Sequence, residues 1–309
     1  MQATHNIASS GGALINWLLA NQDLALLLAT FGGMLVLLMA EQIWPRRTSN
    51  DSQAMRWINN WLLAAVNFFA LFFLLLALSG MPWLQALTPQ NSVFASLPAA
   101  VTLVALMIGI EAVQYTLHRL FHAVPLLWRL HAVHHSDPWV DVTSSHRHHL
   151  IEVLITSSLL LPLILMAGVP VVLLIIAMFI RLAIVLLSHS NLKLPRRLDS
   201  LLRPFVVTPD FHRVHHSSEQ RLTDSNFGTV LPLFDYLFGT AQNISWQEQA
   251  SMRCGLDAWR EPRDSRLDRL LLMPLLWRAG NPMHAAGGDA AVMPVAPNTD
   301  TTIVADPQP

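Results

Sequence analysis

Charged residues are scarce in this chain of 309 residues. They make up 13% of the sequence, whereas a typical soluble domain contains about 25%. The 19 lysines and arginines are balanced by 20 aspartates and glutamates, so the positive excess of a nucleic-acid-binding protein is absent. The single cysteine, Cys254, excludes an internal disulfide and any cysteine-based zinc site.

Hydrophobic residues, by contrast, make up 53% of the chain, and the mean hydropathy is +0.42. This content excludes an intrinsically disordered protein. Membrane helices need about 20 mostly apolar residues, and four segments qualify: 24–40, 57–80, 98–117 and 153–180. The fourth is too long for one crossing and contains Pro162, Gly168 and Pro170, so we predict a helical hairpin with its tip near residues 167–170.

The positive residues around these segments predict their orientation, because cytoplasmic loops of membrane proteins carry an excess of Lys and Arg. Arg46, Arg47 and Arg56 lie between the first two spans, whereas residues 81–97 contain no Lys or Arg. Further basic residues follow the third span and the hairpin. We therefore expect an integral protein of a bacterial inner membrane, with every basic cluster in the cytoplasm. Residues 1–6 lack the positive start of a signal peptide, so the first span is expected to be retained.

Histidine is the unusual polar residue, since twelve of the 14 histidines lie between His118 and His216. They form one HxxxH cluster and two HxxHH clusters, and these spacings place the side chains on one face of a helix. Neutral imidazole is a good ligand for iron, zinc or copper. Three such faces and two further histidines would provide ten nitrogens, enough for two metal ions. The isolated His5 and His284 are expected to have no such role.

These clusters resemble the fatty acid hydroxylase / sterol desaturase superfamily of integral-membrane di-iron oxygenases. The resemblance covers about residues 100–245, where HRLFH (118–122), HAVHH (131–135) and HRVHH (212–216) occur in the family's order. The flanking segments RHHLIE (147–152), HSN (189–191), DSNFG (224–228) and DYLFGT (235–240) are similar to the family's other motifs. Leu150 stands where the family usually has proline.

The resemblance implies an oxidoreductase that uses two iron ions, O₂ and two electrons to hydroxylate or desaturate a C–H bond of a lipid. The sequence leaves open whether that lipid is a sterol, a fatty acyl chain or a related isoprenoid, and which of the two reactions occurs. The residues that match the family's ligands are His118, His122, His131, His134, His135, His149, His189, His212, His215 and His216. His146 and His148 fall outside the pattern, although they blur which histidine of 146–149 is the ligand.

Histidine ligands usually donate their second N–H to a carboxylate or a carbonyl. The candidate carboxylates are Glu111, Asp137, Glu152, Asp210 and Asp224. A helix cap or an interfacial charge is an equally good explanation for most of them. Glu111 shares a helix face with His118 and is also a candidate for lining a substrate channel. Arg181, inside the hairpin, is expected either to reach the membrane surface or to pair with Glu152.

The sequence thus predicts an all-α membrane helical bundle, with about three spans, a hairpin and a cytoplasmic helical cap that carries the histidines. The expected divisions are N-terminal spans (1–97), a fatty acid hydroxylase-like catalytic domain (98–245), a C-terminal helical segment (246–279) and a disordered tail (280–309). No segment resembles a cytochrome b5-like domain, so a separate electron donor is expected. The alternative function is a histidine-rich metal transporter, whose site would lie near the bilayer midplane.

Overall fold

In the part of the chain that the structure describes, five long apolar helices form the body of the protein, and each is long and apolar enough to cross a membrane. The computed structural model describes residues 16–17, 19–49, 52–89 and 92–277. The five helices are α1 (Gln22–Ile43), α2 (Ala54–Ser79), α5 (Ala99–Ala123), α7 (Leu150–Ala167) and α8 (Val171–His189). They confirm the three predicted spans and the hairpin. Within the described residues the other regular structure is also helical, apart from two isolated β-bridges.

The hairpin turns at Gly168, as expected from the sequence. Gly168 has φ +60°, and a Cβ there would lie 2.8 Å from the Pro89 ring, so glycine is required on both grounds. Pro162 lies within α7 and does not end it. Two short helices, α3 (Pro82–Gln85) and α4 (Val93–Ser96), lie beside this turn; the Ser92 hydroxyl donates a hydrogen bond to the Ala167 carbonyl at 2.7 Å.

Residues 124–149 and 190–277 form a single cap over the opposite ends of the five spans. The cap helices are α6 (Pro125–His135), α9 (Arg196–Leu202), α10 (Pro209–His215), α11 (Gln220–Thr223), α12 (Leu233–Phe238), α13 (Trp246–Ser251) and α14 (Leu267–Leu276), with 3-10 turns at Val142–His146 and Pro262–Ser265. Trp128 of α6, Leu63 of α2 and Met273 of α14 are buried in one apolar cluster. The C-terminal helical segment is therefore part of the cap and packs against α6 and α2, whereas the predicted disordered tail lies outside the described residues.

Buried charges attach the cap to α2. The Arg56 guanidinium pairs with Asp137 at 2.9 Å and with Asp141, and Asn60 donates to Thr143 at 2.9 Å. Arg147 donates to the Asn60 side-chain oxygen at 2.8 Å. The positive charges of Arg56 and Arg147 outweigh burial and hold the pKa of Asp137 below its usual value. These contacts fix the segment between the second histidine cluster and α7.

Candidate metal centre

The histidines come together where the spans meet the cap. His118 and His122 occupy the last two turns of α5, and His189 ends α8. The second cluster lies on α6, which starts with proline at its first turn. The third cluster lies on α10, where the Thr208 hydroxyl accepts a hydrogen bond from Phe211 N at 3.4 Å. Four helices, α5, α6, α8 and α10, thus direct their histidines toward one buried volume.

Nine of the ten predicted histidines form two groups, and within each group the ligand nitrogens lie within 4.8 Å of one another. The first group is His118, His122, His131, His135 and His215. The second group is His134, His189, His212 and His216. All nine side chains are buried. Each HxxHH cluster contributes to both groups, because its members project to different sides of their helix.

Backbone carbonyls orient several of these rings. His118 Nδ1 donates to the Phe227 carbonyl and His215 Nδ1 to the Ser225 carbonyl, both at 2.7 Å. His189 Nδ1 donates to the Val185 carbonyl at 2.8 Å. A carbonyl can only accept, so these contacts fix the proton on Nδ1 and leave the Nε2 lone pair free to bind a metal.

Glu152 and Asp224 hold two further ligand rings. His131 Nδ1 donates to Glu152 at 2.8 Å, and His122 Nδ1 donates to Asp224 at 3.0 Å. The side chain of Glu152 is 7% exposed, whereas that of Asp224 is 42% exposed. Two of the five candidate carboxylates therefore contact histidines of the first group.

The other three candidates have different partners. Asp137 pairs with Arg56, and Asp210 pairs with Arg213 at 2.7 Å and with Arg46 at 3.2 Å. Glu111 accepts hydrogen bonds from the amides of Thr229 and Val230 and from Arg181. A buried carboxylate must be paired, and here arginines and amides supply that pairing instead of histidines. Arg181 accordingly pairs with Glu111 at 3.2 Å, and neither expected role of Arg181 is observed.

His149, the tenth predicted ligand, lies in neither group. His149 caps α7: its Nδ1 accepts from Ile151 N at 3.2 Å, and its Nε2 donates to the Leu271 carbonyl at 3.1 Å. Its ring therefore faces α14, away from both groups. The adjacent His148 stacks on His134 with 4.2 Å between ring centroids and donates from Nδ1 to Glu152 at 2.9 Å. His148, which falls outside the family pattern, thus lies where His149 was expected.

The distances between ring nitrogens match those between ligands of one metal ion. His118 Nε2 and His131 Nε2 are 3.0 Å apart, and His189 Nε2 and His212 Nε2 are also 3.0 Å apart. Metal–nitrogen bonds of about 2.1 Å separate neighbouring ligand atoms by about 3.0 to 3.4 Å. Since His118 and His131 already donate their Nδ1 protons, neutral rings would place two lone pairs against each other, and a cation between them removes that repulsion.

Two further observations fit a metal centre. The buried Nε2 atoms of His122 and His215 have no hydrogen-bond partner in the described part of the chain, which is costly unless they bind something else. Burial, together with the neighbouring histidines, lowers the pKa of His135, His212 and His216 well below the usual value. The rings are therefore neutral at pH 7, the form that binds metals.

A cavity of about 240 Å³ extends from the histidines into the spans. Histidines of both groups line one end of it. Side chains of α5, α7 and α8 form its walls, among them the apolar Leu117, Phe121, Val153 and Val185. A cavity with apolar walls between membrane helices suits a hydrocarbon chain.

The carbonyls that orient the rings could hardly be predicted from the sequence. Ser225 and Phe227 act through their backbone oxygens, so side-chain chemistry does not identify them. The DSNFG segment (224–228) was a usable signal, because one short loop supplies these two carbonyls and the Asp224 carboxylate. Asn226 has φ 52° and its side-chain amide donates to the Phe211 carbonyl at 2.9 Å, which joins this loop to α10.

Comparisons with known proteins give sequence matches over the histidine region. The sequence model of the fatty acid hydroxylase family matches residues 103–240. The chain is 36% identical over 148 residues to the ornithine lipid hydroxylase of Rhizobium tropici, covering 47% of this chain and 43% of that protein. It is 28% identical over 133 residues to the alkylglycerol monooxygenase of Danio rerio and 26% identical over 133 residues to that of Homo sapiens. Each of the latter matches covers 43% of this chain and 29% of the relative.

The chain therefore matches less than half the length of these relatives. No solved structure gives a significant match.

Proposed function

We propose that this chain, which matches the fatty acid hydroxylase family over residues 103–240, is a membrane-bound di-iron oxygenase of lipids. It would use O₂ and two electrons to hydroxylate or desaturate a C–H bond. The observation that carries this proposal is the position of two buried histidine groups at the end of a cavity between membrane helices. The relatives named as lipid hydroxylases and monooxygenases support the same chemistry.

We assign one ion to the group of His118, His122, His131, His135 and His215, and the other ion to the group of His134, His189, His212 and His216. Bound iron would supply the redox chemistry that activates O₂ and breaks an alkyl C–H bond, which side chains alone cannot do. Zinc has no redox chemistry. The ligand set contains no cysteine or methionine that could be oxidised in its place.

The protein's own side chains position and protect the reaction. The walls formed by Leu117, Phe121 and Val153 exclude water and hold the hydrocarbon beside the histidines. Glu152 fixes the rings of His131 and His148 through their Nδ1 protons. Its carboxylate would also offset part of the positive charge of the two metal ions, because neutral imidazole ligands do not balance that charge.

The transporter alternative is less consistent with the structure. His118 and His122 lie in the last two turns of α5, and His189 is the last residue of α8. A transport site is expected near the bilayer midplane, between the spans. The histidines instead lie at the ends of the spans, under the cap.

Metal content and lipid products test the proposal. Protein purified anaerobically from iron-replete cells should contain close to two metal ions per chain, by elemental analysis. Lipid extracts from cells with and without the gene, compared by mass spectrometry, should differ by an oxygen atom or by two hydrogens in one lipid class. His135→Ala and His216→Ala should lose metal and product, whereas His146→Ala should keep both because its ring is in neither group. One metal ion or none in well-folded protein would contradict the di-iron assignment.

We also propose that the cap lies in the cytoplasm of a bacterial cell. Arg46, Arg47 and Arg56 lie at the cap side of α1 and α2, and the segment 81–97 on the other side carries no Lys or Arg. Ser96 and Ser251 are exposed on opposite sides, whereas Cys254 is buried. In intact cells an impermeant maleimide should label Ser96→Cys and not Ser251→Cys. The reverse pattern would overturn the orientation.

A further inference from the structure

The cavity beside the histidines has polar groups on its walls as well as apolar ones. Arg181, Gln114, Thr156 and Ser157 all line it. Each belongs to a helix that crosses the membrane, where a polar side chain is costly unless it has a partner. A cavity that held only a hydrocarbon chain would have no use for them.

These side chains retain hydrogen-bonding capacity. Arg181 donates to Glu111 at 3.2 Å and to the Thr229 hydroxyl at 3.3 Å, which occupies two of its five N–H groups. The side chains of Gln114, Thr156 and Ser157 form no hydrogen bond with the described residues. The cavity wall therefore presents several donors with no protein acceptor in that part of the chain.

The position of this polar wall is set by helix geometry. Residues 181 and 189 are eight positions apart on α8, which corresponds to about 12 Å along the helix. Gln114 precedes His118 by four residues and Thr156 follows Glu152 by four residues, or about 6 Å in each case. The polar wall thus begins beside the metal centre and ends deeper among the spans, at Arg181.

The charge of the wall limits what it can bind. The Arg181 guanidinium is already balanced by the Glu111 carboxylate, so an anionic group would add an unbalanced charge between membrane helices. A neutral oxygen can accept from the guanidinium, amide and hydroxyl groups without that cost.

We propose that the polar wall of this cavity is a subsite for a neutral oxygen-bearing group of the substrate, an ester or amide carbonyl or a hydroxyl, bound by donors among Arg181, Gln114, Thr156 and Ser157. This inference rests on the proposed lipid oxygenase function and names its substrate class. The substrate is a functionalised lipid, and the carbon that is oxidised is separated from the bound oxygen by several carbon–carbon bonds.

Binding of matched probes to the full-length chain in detergent tests the subsite. The probes are hexadecane, hexadecanol, methyl hexadecanoate and hexadecanoate, and native mass spectrometry measures the fraction of chain that carries each. Hexadecanol and methyl hexadecanoate should bind the wild type more tightly than hexadecane and hexadecanoate. Equal binding of hexadecane, or tighter binding of hexadecanoate than of its methyl ester, would overturn the proposal.

Variants of the wall separate recognition from folding. Thr156→Val combined with Ser157→Ala should weaken binding of the two neutral polar probes about three- to ten-fold and leave hexadecane unchanged. Thr156→Ser, which keeps the hydroxyl, should bind as the wild type does. Ser158→Ala, at an exposed neighbouring position of α7, is the matched control. If the double variant binds the polar probes as well as the control does, the subsite does not exist.

Arg181→Met gives a second measurement, with Arg181→Lys as its charge-retaining partner. Arg181→Lys should keep more of the preference for methyl hexadecanoate over hexadecane than Arg181→Met; equal preference in the two variants would contradict the role of Arg181. All these measurements need neither O₂ nor electrons. A chain that preferred the neutral polar probes but held no metal and oxidised no lipid would refute the proposed function and leave the subsite standing.

Discussion

Replacing Glu152 should weaken the metal centre more than replacing any other carboxylate that touches it. One Glu152 oxygen accepts from His131 at 2.8 Å and from His148 at 2.9 Å. The proposed ligands are neutral imidazoles, so two bound iron ions would leave several positive charges in a buried volume. Among the described residues, Glu152 and Asp224 are the carboxylates that contact histidines of the two groups, and only Glu152 is buried.

The size of the effect follows from these contacts. Hydrogen bonds to a charged group contribute about 1.5 to 3 kcal/mol each, and loss of a group that orients a metal ligand typically lowers metal affinity about 10- to 100-fold. Glu152→Gln keeps an accepting oxygen and loses only the charge, so we expect its metal affinity to fall by about 10-fold. Glu152→Ala removes both hydrogen bonds, so its metal affinity should fall by close to 100-fold.

The assay is a competition between the protein and a chelator. Iron-loaded protein is equilibrated anaerobically with increasing chelator, and the metal that remains on each chain is measured by elemental analysis. Asp224→Asn should lose less metal than Glu152→Ala, because the Asp224 side chain is 42% exposed and water can replace it. Glu219→Gln, on the surface at 67% exposure, is the control. Wild-type metal retention by Glu152→Ala, or a larger loss in Asp224→Asn, would refute the reasoning.

Three further predictions concern neighbouring groups. Asp137→Ala leaves Arg56 with one carboxylate partner in a buried site and should lower the free energy of unfolding by about 3 kcal/mol, measured by chemical denaturation in detergent; Arg263→Gln, in an exposed ion pair, should change it little. His148→Ala should reduce metal content and product more than His149→Ala, and the opposite order in elemental analysis would restore His149 as a ligand. In metal-free protein the lowered pKa of His135 and the other buried cap histidines means that the unfolded chain binds more protons, so stability should be constant above about pH 6.5 and fall below it. Equal thermal midpoints at pH 5 and pH 7.5 would contradict that sign.

The spans and the histidine clusters could be predicted because both depend on local spacing. Apolar runs of membrane length determine the five helices, and i, i+3 and i, i+4 spacing places histidines on a helix face. The hairpin tip followed from Gly168, whose positive φ suits no other residue as well. In each case the determining interactions lie within a few residues along the chain.

Local spacing could not show whether His148 or His149 lies beside the metal centre. His149 is directed away from the site by its contact with the Leu271 carbonyl, 122 residues further along the chain. Similarly, Asp210 meets Arg46 across 164 residues, which diverts its carboxylate from the histidines. The residues next to a carboxylate in the sequence do not indicate whether its partner in the folded protein is an arginine or a histidine.

The first two spans are part of the site although they lie outside the region that matches the family. Glu41 of α1 accepts from Val142 N at 2.9 Å and from Asn191 N at 2.7 Å, which holds the segment after the second histidine cluster and the segment after His189 against α1. On α2, Arg56 and Asn60 hold Asp137 and Arg147. The domain 98–245 is therefore expected to lack its supports when it is produced alone.

A chain beginning at residue 98 should consequently insert its remaining spans and yet hold little metal. Without Glu41, two buried amides lose their acceptor, and without Arg56 the buried carboxylate of Asp137 loses its ion-pair partner, each a destabilising change. Co-expression of residues 1–97 as a separate chain should restore metal content, because α1 and α2 bind the rest through side-chain contacts that do not need the connecting peptide. Elemental analysis of the two samples measures this. Full metal content in the shortened chain by itself would show that the histidine faces of α5, α6, α8 and α10 assemble without α1 and α2.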